Sequence, residues 1–337
     1  MSMTVWQWFE QRSFQHRDFQ DLTLPSDDVM TADGPRRPTT SLVLPGRNVA
    51  ETIGTILDVV AGLRARTGLP DQVIVIDADS PDGTARVARE HAGVEVYSEN
   101  DLMPQYGPAQ GKGDAMWRSL SVARGDIIMF ADADTTDFRE HFVYGTLGPL
   151  LADPAIQFCK AAFRRPFTSG DRSVADGGGR VTELMAKPLL NLFYPQLAGF
   201  VQPLAGEFAA RRELLSAVPF FTGYGVEIGM LMDVYNQIGL DAMAQVDIGT
   251  RQNRHQPLGD LSRMSSVVLR TVAAREGISA RYLEAEGGNL WDVHQPETYL
   301  HAVATERGLR LEEHLNELVE RPPMAHLTGD TAVAVGA

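Results

Sequence analysis

Two carboxylates, one residue apart, follow an apolar stretch of the chain. Residues 126–130 are predicted to form a strand, and Asp132-Ala133-Asp134 comes directly after it. Carboxylate oxygens are the ligands that hard divalent cations such as Mg²⁺ and Mn²⁺ prefer, and two in one turn can reach the same ion. Asp-x-Asp triplets are also frequent in solvated turns, but the position after a strand favours metal binding. We therefore predict a divalent metal site here.

A glycine-rich segment is the second candidate for chemistry. Gly177 to Gly179 precede Arg180 and Thr182 at the predicted start of a helix. Backbone N–H groups in such a turn, together with the helix dipole, attract an anion. The guanidinium of Arg180 and the hydroxyl of Thr182 add donors suited to a phosphate group. The residues alone equally allow a flexible loop in which the glycines serve only the turn.

Apolar runs predict the elements that position these residues. Each early run is followed by a helical pattern, which is typical of a parallel sheet covered on both faces. Strands are predicted at residues 40–44, 73–76, 94–97, 126–130, 156–163 and 243–248. Ligands bind beyond the carboxyl ends of such strands, so Pro45, residues 77–80 and residues 132–134 are expected to meet at one crevice.

Fewer sequence patterns define the structure of the remaining segments. Residues 48–51 have the pattern of a capping box, and residues 168–180 read as a loop. Helices are predicted at 258–277 and at 296–320. The second carries an apolar stripe of Leu311, Leu315 and Leu318 that could serve a dimer contact or packing within the chain. The N-terminal arm is expected to dock through its aromatic residues, Trp6, Trp8 and Phe9.

Composition narrows the class of protein. The 337 residues include 30 basic and 44 acidic ones, a formal charge of -14, which argues against nucleic acid as a partner. Cys159 is the only cysteine, which excludes an internal disulfide and a thiolate zinc cluster. The uncharged run from Pro188 to Gly206 contains three prolines, so we expect a buried helix and loop and no stable membrane insertion. A cytoplasmic location is expected.

Several motifs together resemble one known family. They are Val43-Leu44-Pro45 with Asn48 and Glu51, Val75-Ile76-Asp77, Gly111-Lys112-Gly113, the Asp132-Ala133-Asp134 turn, Gly178 to Thr182, Gly206-Glu207-Phe208, Tyr224 to Glu227, and Arg251 to His255. Over residues 40 to 320 the chain resembles the actinobacterial glucosyl-3-phosphoglycerate synthases. The resemblance implies an α/β fold of the GT-A, Rossmann-like type, with a mostly parallel sheet flanked by helices and a helical C-terminal extension.

The same resemblance implies an activity and its ligands. Members transfer glucose from UDP-glucose to the 2-hydroxyl of 3-phosphoglycerate with retention of configuration, as the first step of glucosylglycerate or methylglucose lipopolysaccharide synthesis. Mg²⁺ or Mn²⁺ is the implied cofactor. Independently of the resemblance, a homodimer is expected. Asp134 and His255 would hold the metal. The nucleotide would lie against Pro45, Gly46, Arg47, Glu51, Asp77 (at the uracil), Ser80, Lys112, Asp132 (at the ribose) and Ala133.

The acceptor side follows from the resemblance as well. The implied contacts are Gly178, Gly179, Arg180, Val181, Thr182, Leu204, Tyr224 and Asn253. Arg254 and the metal would stabilise charge on the leaving diphosphate. Glu227 stands on an apolar helix, where it could be a buried ion-pair member or could bind acceptor hydroxyls. Gly46-Arg47 departs from the Ala-Tyr or Ala-Leu of many GT-A enzymes.

Other functions remain open at this point. They are a GT-A transferase using another donor such as GDP-mannose, an inverting transferase acting on a polyprenyl phosphate, a non-catalytic nucleotide-sugar sensor, and a sugar-phosphate nucleotidyltransferase. Pro45-Gly46-Arg47-Asn48 has too few glycines for the last class. The predicted organisation is an arm (1–38), a nucleotide-sugar half (39–160), an acceptor half (161–256), the helical extension (257–325) and a disordered tail (326–337).

Overall fold

The fold is organised around one central sheet. The structure, a computed structural model, describes residues 2–21, 37–169, 172–174, 177–251, 256–278, 298–305, 308–315 and 317–330. Its strands are β1 (Ser13–Gln15), β2 (Thr40–Gly46), β3 (Gln72–Asp77), β4 (Val94–Ser98), β5 (Ile127–Phe130), β6 (Phe158–Arg164), β7 (Phe167–Ser169), β8 (Arg172–Val174), β9 (Phe208–Arg211), β10 (Phe220–Phe221), β11 (Met243–Thr250), β12 (Thr298–Thr305), β13 (Gly308–Leu315) and β14 (Glu320–Arg321).

The central sheet runs in the order β1-β11-β6-β9-β5-β2-β3-β4. All neighbouring pairs are parallel except the two made by β9, which runs antiparallel to β5 and to β6. The predicted α/β class with a mostly parallel sheet is therefore confirmed. Each of the six predicted strands is present, and all but the edge strand β4 consist mainly of buried residues, as is typical of strands covered on both faces.

Helices cover both faces of this sheet. They are α1 (Val5–Arg12), α2 (Ala50–Thr67), α3 (Thr84–Arg89), α4 (Lys112–Ser119), α5 (Glu140–Ala152), α6 (Lys187–Phe193), α7 (Arg212–Ala217), α8 (Val226–Ile238), α9 (Leu258–Arg275) and α10 (Met324–Asp330). Alternate strand residues feed two separate cores: Val43 joins one, while Leu42 and Leu44 join the other. The loops beyond the carboxyl ends of the strands are thus held by a core on each side.

The C-terminal part differs from the prediction. The helix at 258–277 is confirmed by α9, but 296–320 is not helical. Instead β12 and β13 form an antiparallel hairpin with Leu300 opposite Glu313. Residues four apart share a face of a strand as well as of a helix, so the spacing of Leu311 and Leu315 could not separate the two structures. Both leucines are exposed, so they do not pack within the described part of the chain.

Smaller predictions need correction too. In the arm, Trp8 docks fully buried and its indole N–H donates to the Met243 carbonyl at 2.8 Å, whereas Trp6 and Phe9 are exposed. The segment predicted as a loop at 168–180 contains the β7–β8 hairpin. The predicted disorder from residue 326 is wrong as far as residue 330, where α10 ends; residues 331–337 lie outside the described part.

The predicted capping box at residues 48–51 is also wrong. The N-cap of α2 is Val49, and no side-chain cap is present. The N-terminal N–H groups of α2 are instead satisfied from the loop after β3: those of Asn48, Val49 and Ala50 donate to side-chain oxygens of Ser80, Thr84 and Asp82. The loops after β2 and β3 therefore brace one another beside the predicted crevice.

The uncharged run from 188 to 206 is divided between short elements. It contains most of α6 and a 3-10 turn at Pro195–Leu197. None of the helices in the described ranges has the length and apolar character needed to cross a bilayer. The predicted domain boundaries at residues 160 and 256 stay predictions.

Candidate functional site

A crevice of about 580 Å³ opens at the carboxyl ends of β2, β3, β4 and β5. This is the place where an open parallel sheet binds ligands. Many of the predicted site residues line it: Pro45, Gly46, Arg47, Lys112, Asp132, Asp134, Gly178, Gly179, Arg180, Val181, Thr182, Leu204, Tyr224 and Glu227. The sequence therefore identified the crevice from three loops that lie far apart along the chain.

The two aspartates of the Asp132-Ala133-Asp134 turn have different roles. Both oxygens of Asp132 are engaged by the protein: Oδ1 accepts a hydrogen bond from Lys112 Nζ, and Oδ2 accepts one from Arg251 Nη2 at 2.7 Å. Asp134 keeps 55% of its side chain exposed, and its nearest cation is Arg251 at 3.7 Å. Asp134 is consequently the carboxylate of this turn that is open to a ligand.

Burial and charge set the protonation of this turn. Although burial opposes it, the neighbouring Lys112 and Arg251 hold the pKa of Asp132 well below its usual range. The pKa of Asp134 is raised by partial burial and by the negative charge of Asp132. A positive ion beside Asp134 would relieve both effects, so the turn offers a favourable environment for a divalent cation.

Arg251 links the turn to the middle of the sheet. It follows β11, is fully buried, and donates through Nη1 to Glu207 Oε2 at 2.7 Å and through Nη2 to Thr135 Oγ1 at 3.0 Å. Glu207 precedes β9 and is 1% exposed; burial raises its pKa while Arg251 opposes that rise. Sequence reasoning did not assign roles to Arg251 or Glu207, although a lone acidic residue beside the apolar strand β9 was a signal for a buried partner.

Glu227 is also bound by the protein. It lies in the first turn of α8, is 7% exposed, and accepts a hydrogen bond from Lys112 Nζ at 2.8 Å. Of the two interpretations that the sequence allowed, an ion-pair member is what the structure contains, on the wall of the crevice. Lys112, at the start of α4, thereby joins Asp132 to Glu227.

The glycine-rich segment forms the opposite wall. Gly178 lies so close to Arg165 that an added Cβ would come within 2.8 Å of the Arg165 Cβ, and Gly179 has a φ of +71°. Thr182 is 2% exposed, and Arg180 Nη2 donates to the Gln256 carbonyl at 3.1 Å. Arg165, which the sequence reasoning missed, lines the crevice here; its buried Nε has no hydrogen-bond partner among the described residues. Two guanidinium groups thus face the crevice beside backbone suited to an anion.

Some predicted residues lie elsewhere. Glu51, Asp77, Ser80 and Ala133 are not among the wall residues of the crevice. Ser80 supports the loop, since its backbone N–H donates to Asp77 Oδ2 at 3.1 Å, while Asp77 Oδ1 is buried without a partner among the described residues. Asn253, Arg254 and His255 lie outside the described residues.

Glu99 is a further wall residue that the sequence reasoning missed. It follows β4, is 8% exposed and lines the crevice. Burial, together with the negative charges of Asp114 and Asp79, raises the pKa of Glu99 to about 7, against the opposing effect of Arg118 and Arg47. The only sequence signal was an acidic residue directly after a strand.

Comparisons with known proteins agree with this geometry. A family model described as glycosyl transferase family 2 matches residues 41–208. The chain is 45% identical over 243 residues to the glucosyl-3-phosphoglycerate synthase of Mycolicibacterium paratuberculosis, covering 71% of this chain and 73% of that protein. The crystal structure of mannosyl-3-phosphoglycerate synthase from Rubrobacter xylanophilus matches with a TM-score of 0.83 at 54% identity, over 96% of this chain and 98% of that one.

A third similar structure contains bound ligands. The crystal structure of glucosyl-3-phosphoglycerate synthase from Mycobacterium tuberculosis in complex with Mn²⁺, UDP-glucose and phosphoglyceric acid matches with a TM-score of 0.73 at 36% identity. It covers 88% of this chain and 97% of that one. The predicted family and the predicted GT-A fold are confirmed by these matches.

The buried position of Arg251 leads to a prediction about stability. Arg251→Met should lower the free energy of unfolding by about 3–5 kcal/mol, because it leaves the buried charge of Glu207 uncompensated. Arg124→Met is the matched control, since Arg124 pairs with Glu95 with 68% of its side chain exposed, and should cost at most about 1 kcal/mol. Urea unfolding measures both. Equal losses in the two variants would show that Arg251 does not hold the site together.

Proposed function

The chain belongs to the glucosyl-3-phosphoglycerate synthase family of glycosyltransferases, and from this we propose that it transfers glucose from UDP-glucose to the 2-hydroxyl of 3-phosphoglycerate. The observation that carries the proposal is the division of one crevice into two halves. Strand ends with an open carboxylate lie on one side, and a glycine-rich segment with two guanidinium groups lies on the other. Such a crevice suits a nucleotide diphosphate and a phosphorylated acceptor bound face to face.

The nucleotide half is formed by the loops after β2, β3, β4 and β5. Pro45, Gly46 and Arg47 supply its wall, and Lys112 is proposed to lie on the base or ribose side. Asp77, whose buried Oδ1 has no partner among the described residues, is proposed to lie at the base end of this half behind the crevice wall. Asp132, held by Lys112 and Arg251, stays in place to accept from a ribose hydroxyl.

The metal site fits the residues that are present. Asp134 offers an exposed carboxylate oxygen at the crevice, in a position where a cation relieves its raised pKa. With His255 it would supply one oxygen and one nitrogen ligand to Mg²⁺ or Mn²⁺. When bound, the metal supplies positive charge to the leaving diphosphate.

The acceptor half would hold 3-phosphoglycerate by its phosphate. The backbone from Gly178 to Arg180 and the guanidinium groups of Arg165 and Arg180 provide donors for a dianion. Tyr224, Leu204 and Asn253 are proposed to contact the glycerate or the sugar. The protein as a whole is acidic, so this local group of cations is what would attract an anionic acceptor.

The proposed reaction retains configuration. Two carboxylates near the reaction centre, Asp132 and Glu227, are held in ion pairs with Lys112, which leaves neither suited to act as a base or as a nucleophile. The acceptor 2-oxygen would therefore attack the anomeric carbon from the face that the diphosphate leaves. Its proton would pass to the departing diphosphate oxygen, while Arg254 stabilises the negative charge that develops there.

A second donor is favoured by one specific comparison. The sequence identity to the Rubrobacter xylanophilus enzyme is 54%, and the match covers 98% of that chain. That enzyme is named mannosyl-3-phosphoglycerate synthase. GDP-mannose is thus the alternative donor for the same acceptor and the same crevice. The homodimer and the cytoplasmic location stay predictions.

A panel of nucleotide sugars tests the proposal. UDP-glucose, GDP-glucose, UDP-mannose and GDP-mannose are each incubated with 3-phosphoglycerate and Mn²⁺, and release of the nucleoside diphosphate is measured. We expect turnover that depends on 3-phosphoglycerate, and a proton NMR spectrum of the glucosylated product with the small anomeric coupling of an α linkage. A large coupling would mean inversion. Turnover unaffected by omitting 3-phosphoglycerate would refute the acceptor.

The metal contact gives a second prediction. Asp134→Ala should abolish turnover and weaken the metal-dependent binding of UDP, because it removes the open carboxylate of the turn. His255→Ala should do the same less completely. Asp58→Ala serves as control, since 78% of that side chain is exposed on α2. Titration calorimetry of UDP with and without Mn²⁺ measures the effect, and full activity of Asp134→Ala would remove this residue from the mechanism.

The acceptor contact gives a third prediction. Arg180→Ala should raise the KM for 3-phosphoglycerate about 30- to 150-fold, the effect of losing a charge-assisted paired contact worth about 2–3 kcal/mol. The KM for the donor should stay near its original value. Arg86→Ala, at a side chain that is 72% exposed on α3, is the control. If the KM for 3-phosphoglycerate stays unchanged in initial-rate measurements, the phosphate binds elsewhere.

A further inference from the structure

The end of the crevice at β4 contains a carboxyl group to which no role has been given. Strands β5, β2, β3 and β4 are consecutive neighbours in the sheet. The Asp132-Ala133-Asp134 turn follows β5 and Glu99 follows β4, so the two sites are three strand spacings apart, about 14 Å. If the diphosphate of the nucleotide sugar lies at Asp134 and the acceptor substrate lies beyond β5, the base of the nucleotide must extend toward β3 and β4. Glu99 therefore lines the base end of the crevice.

The backbone around Glu99 is firmly fixed. Its N–H donates to the Asp77 carbonyl at 2.9 Å. The guanidinium of Arg118, which is fully buried, donates to the carbonyls of Leu102 at 2.6 Å and Gly107 at 2.7 Å, and so closes the loop that follows Glu99. Asp79 accepts from Ser98 Oγ at 2.6 Å on the other side. The backbone that carries the carboxyl group is therefore held in place.

None of the described residues donates a hydrogen bond to the carboxyl group, and its oxygens are not among the fully buried unpartnered atoms, so they are open to the crevice. The residue is more than nine-tenths buried, and burial acts on the carboxyl group together with the charges of Asp114, Asp79, Arg118 and Arg47. A carboxyl group in a crevice wall, without a donor among the described residues, can accept a hydrogen bond from a bound ligand. At the base end of the crevice, the donating group is an edge of the nucleobase.

The two candidate bases present different edges to a carboxylate. Guanine offers two adjacent donors, N1–H and the N2 amino group, and an ionised carboxylate accepts from both. Uracil offers a single donor, N3–H, between two carbonyl oxygens. An ionised carboxylate therefore accepts one hydrogen bond, and its second oxygen is repelled by a uracil carbonyl oxygen. A protonated carboxyl group suits uracil better, because it accepts from N3–H and donates to the neighbouring carbonyl.

We propose that Glu99 reads the hydrogen-bonding edge of the donor base and, in its ionised form, selects guanine over uracil. This proposal depends on the proposed function in one respect: it takes a nucleoside diphosphate as the ligand. With a pKa of about 7, both forms of Glu99 are present at neutral pH, so the chain accepts both bases there. The preference for guanine rises as the pH rises and Glu99 loses its proton.

The test measures binding of GDP and of UDP to the full chain in the presence of Mn²⁺ by titration calorimetry. In Glu99→Gln the amide replaces one acceptor with a donor, which opposes guanine N1–H or N2–H and suits a uracil carbonyl. The ratio of GDP affinity to UDP affinity should fall about tenfold or more, as expected for one lost base contact. Glu95→Gln is the matched control. Glu95 lies on β4, close to Glu99 in the chain, but pairs with Arg124 at the surface, so the ratio of GDP affinity to UDP affinity should not change in this variant.

A second measurement does not depend on a variant. In the unaltered chain, the same ratio should rise by several-fold between pH 6 and pH 8, and this rise should disappear in Glu99→Gln. A ratio unchanged by Glu99→Gln, or equal losses for both nucleotides, would overturn the proposal and leave Glu99 a structural residue. If neither nucleotide binds the unaltered chain, this proposal and the proposed function both fail. If the selectivity holds but 3-phosphoglycerate is not glycosylated, only the proposed function fails.

Discussion

The buried guanidinium of Arg251 is the interaction on which the site depends. It comes from the end of β11 and meets Asp132 after β5 and Glu207 before β9, so it connects three strands of the sheet with charge-assisted hydrogen bonds. A buried cation of this kind is tolerated only when its partners are placed accurately. The geometry that keeps Arg251 buried is therefore the same geometry that fixes the carboxylate turn, and the fold and the site cannot be altered independently there.

The ion pairs give acidic residues of the crevice different roles. Because Asp132 is neutralised by Lys112 and Arg251, Asp134 is left to meet a ligand. Glu227 also binds Lys112, so this acidic residue on the wall holds the lysine in place. Residues of the same type in one crevice thus differ in their chemistry through their partners, which a motif in the sequence does not specify.

The strands and the crevice could be predicted from the sequence because local patterns determine them. Apolar runs such as Val73 to Ile76 form a strand covered on both faces, and polar residues at strand ends must share one edge. The β12–β13 hairpin could not be predicted, since the spacing of Leu311 and Leu315 fits a strand as well as a helix. The roles of Arg251, Glu207 and Glu99 could not be predicted either, because their contacts join segments that are far apart in the chain.

The first strand of the chain has a consequence for how the protein is made. β1 sits at the edge of the sheet, and its partner is β11, with Ser13 opposite Gln245. Contacts between segments so distant in sequence form late, because the intervening chain must be ordered first. During synthesis from the N-terminus, Trp8 and β1 must wait for more than two hundred residues to emerge before their binding surface exists. Trp8 and β1 are thus synthesised long before their partner and reach their final place only after it.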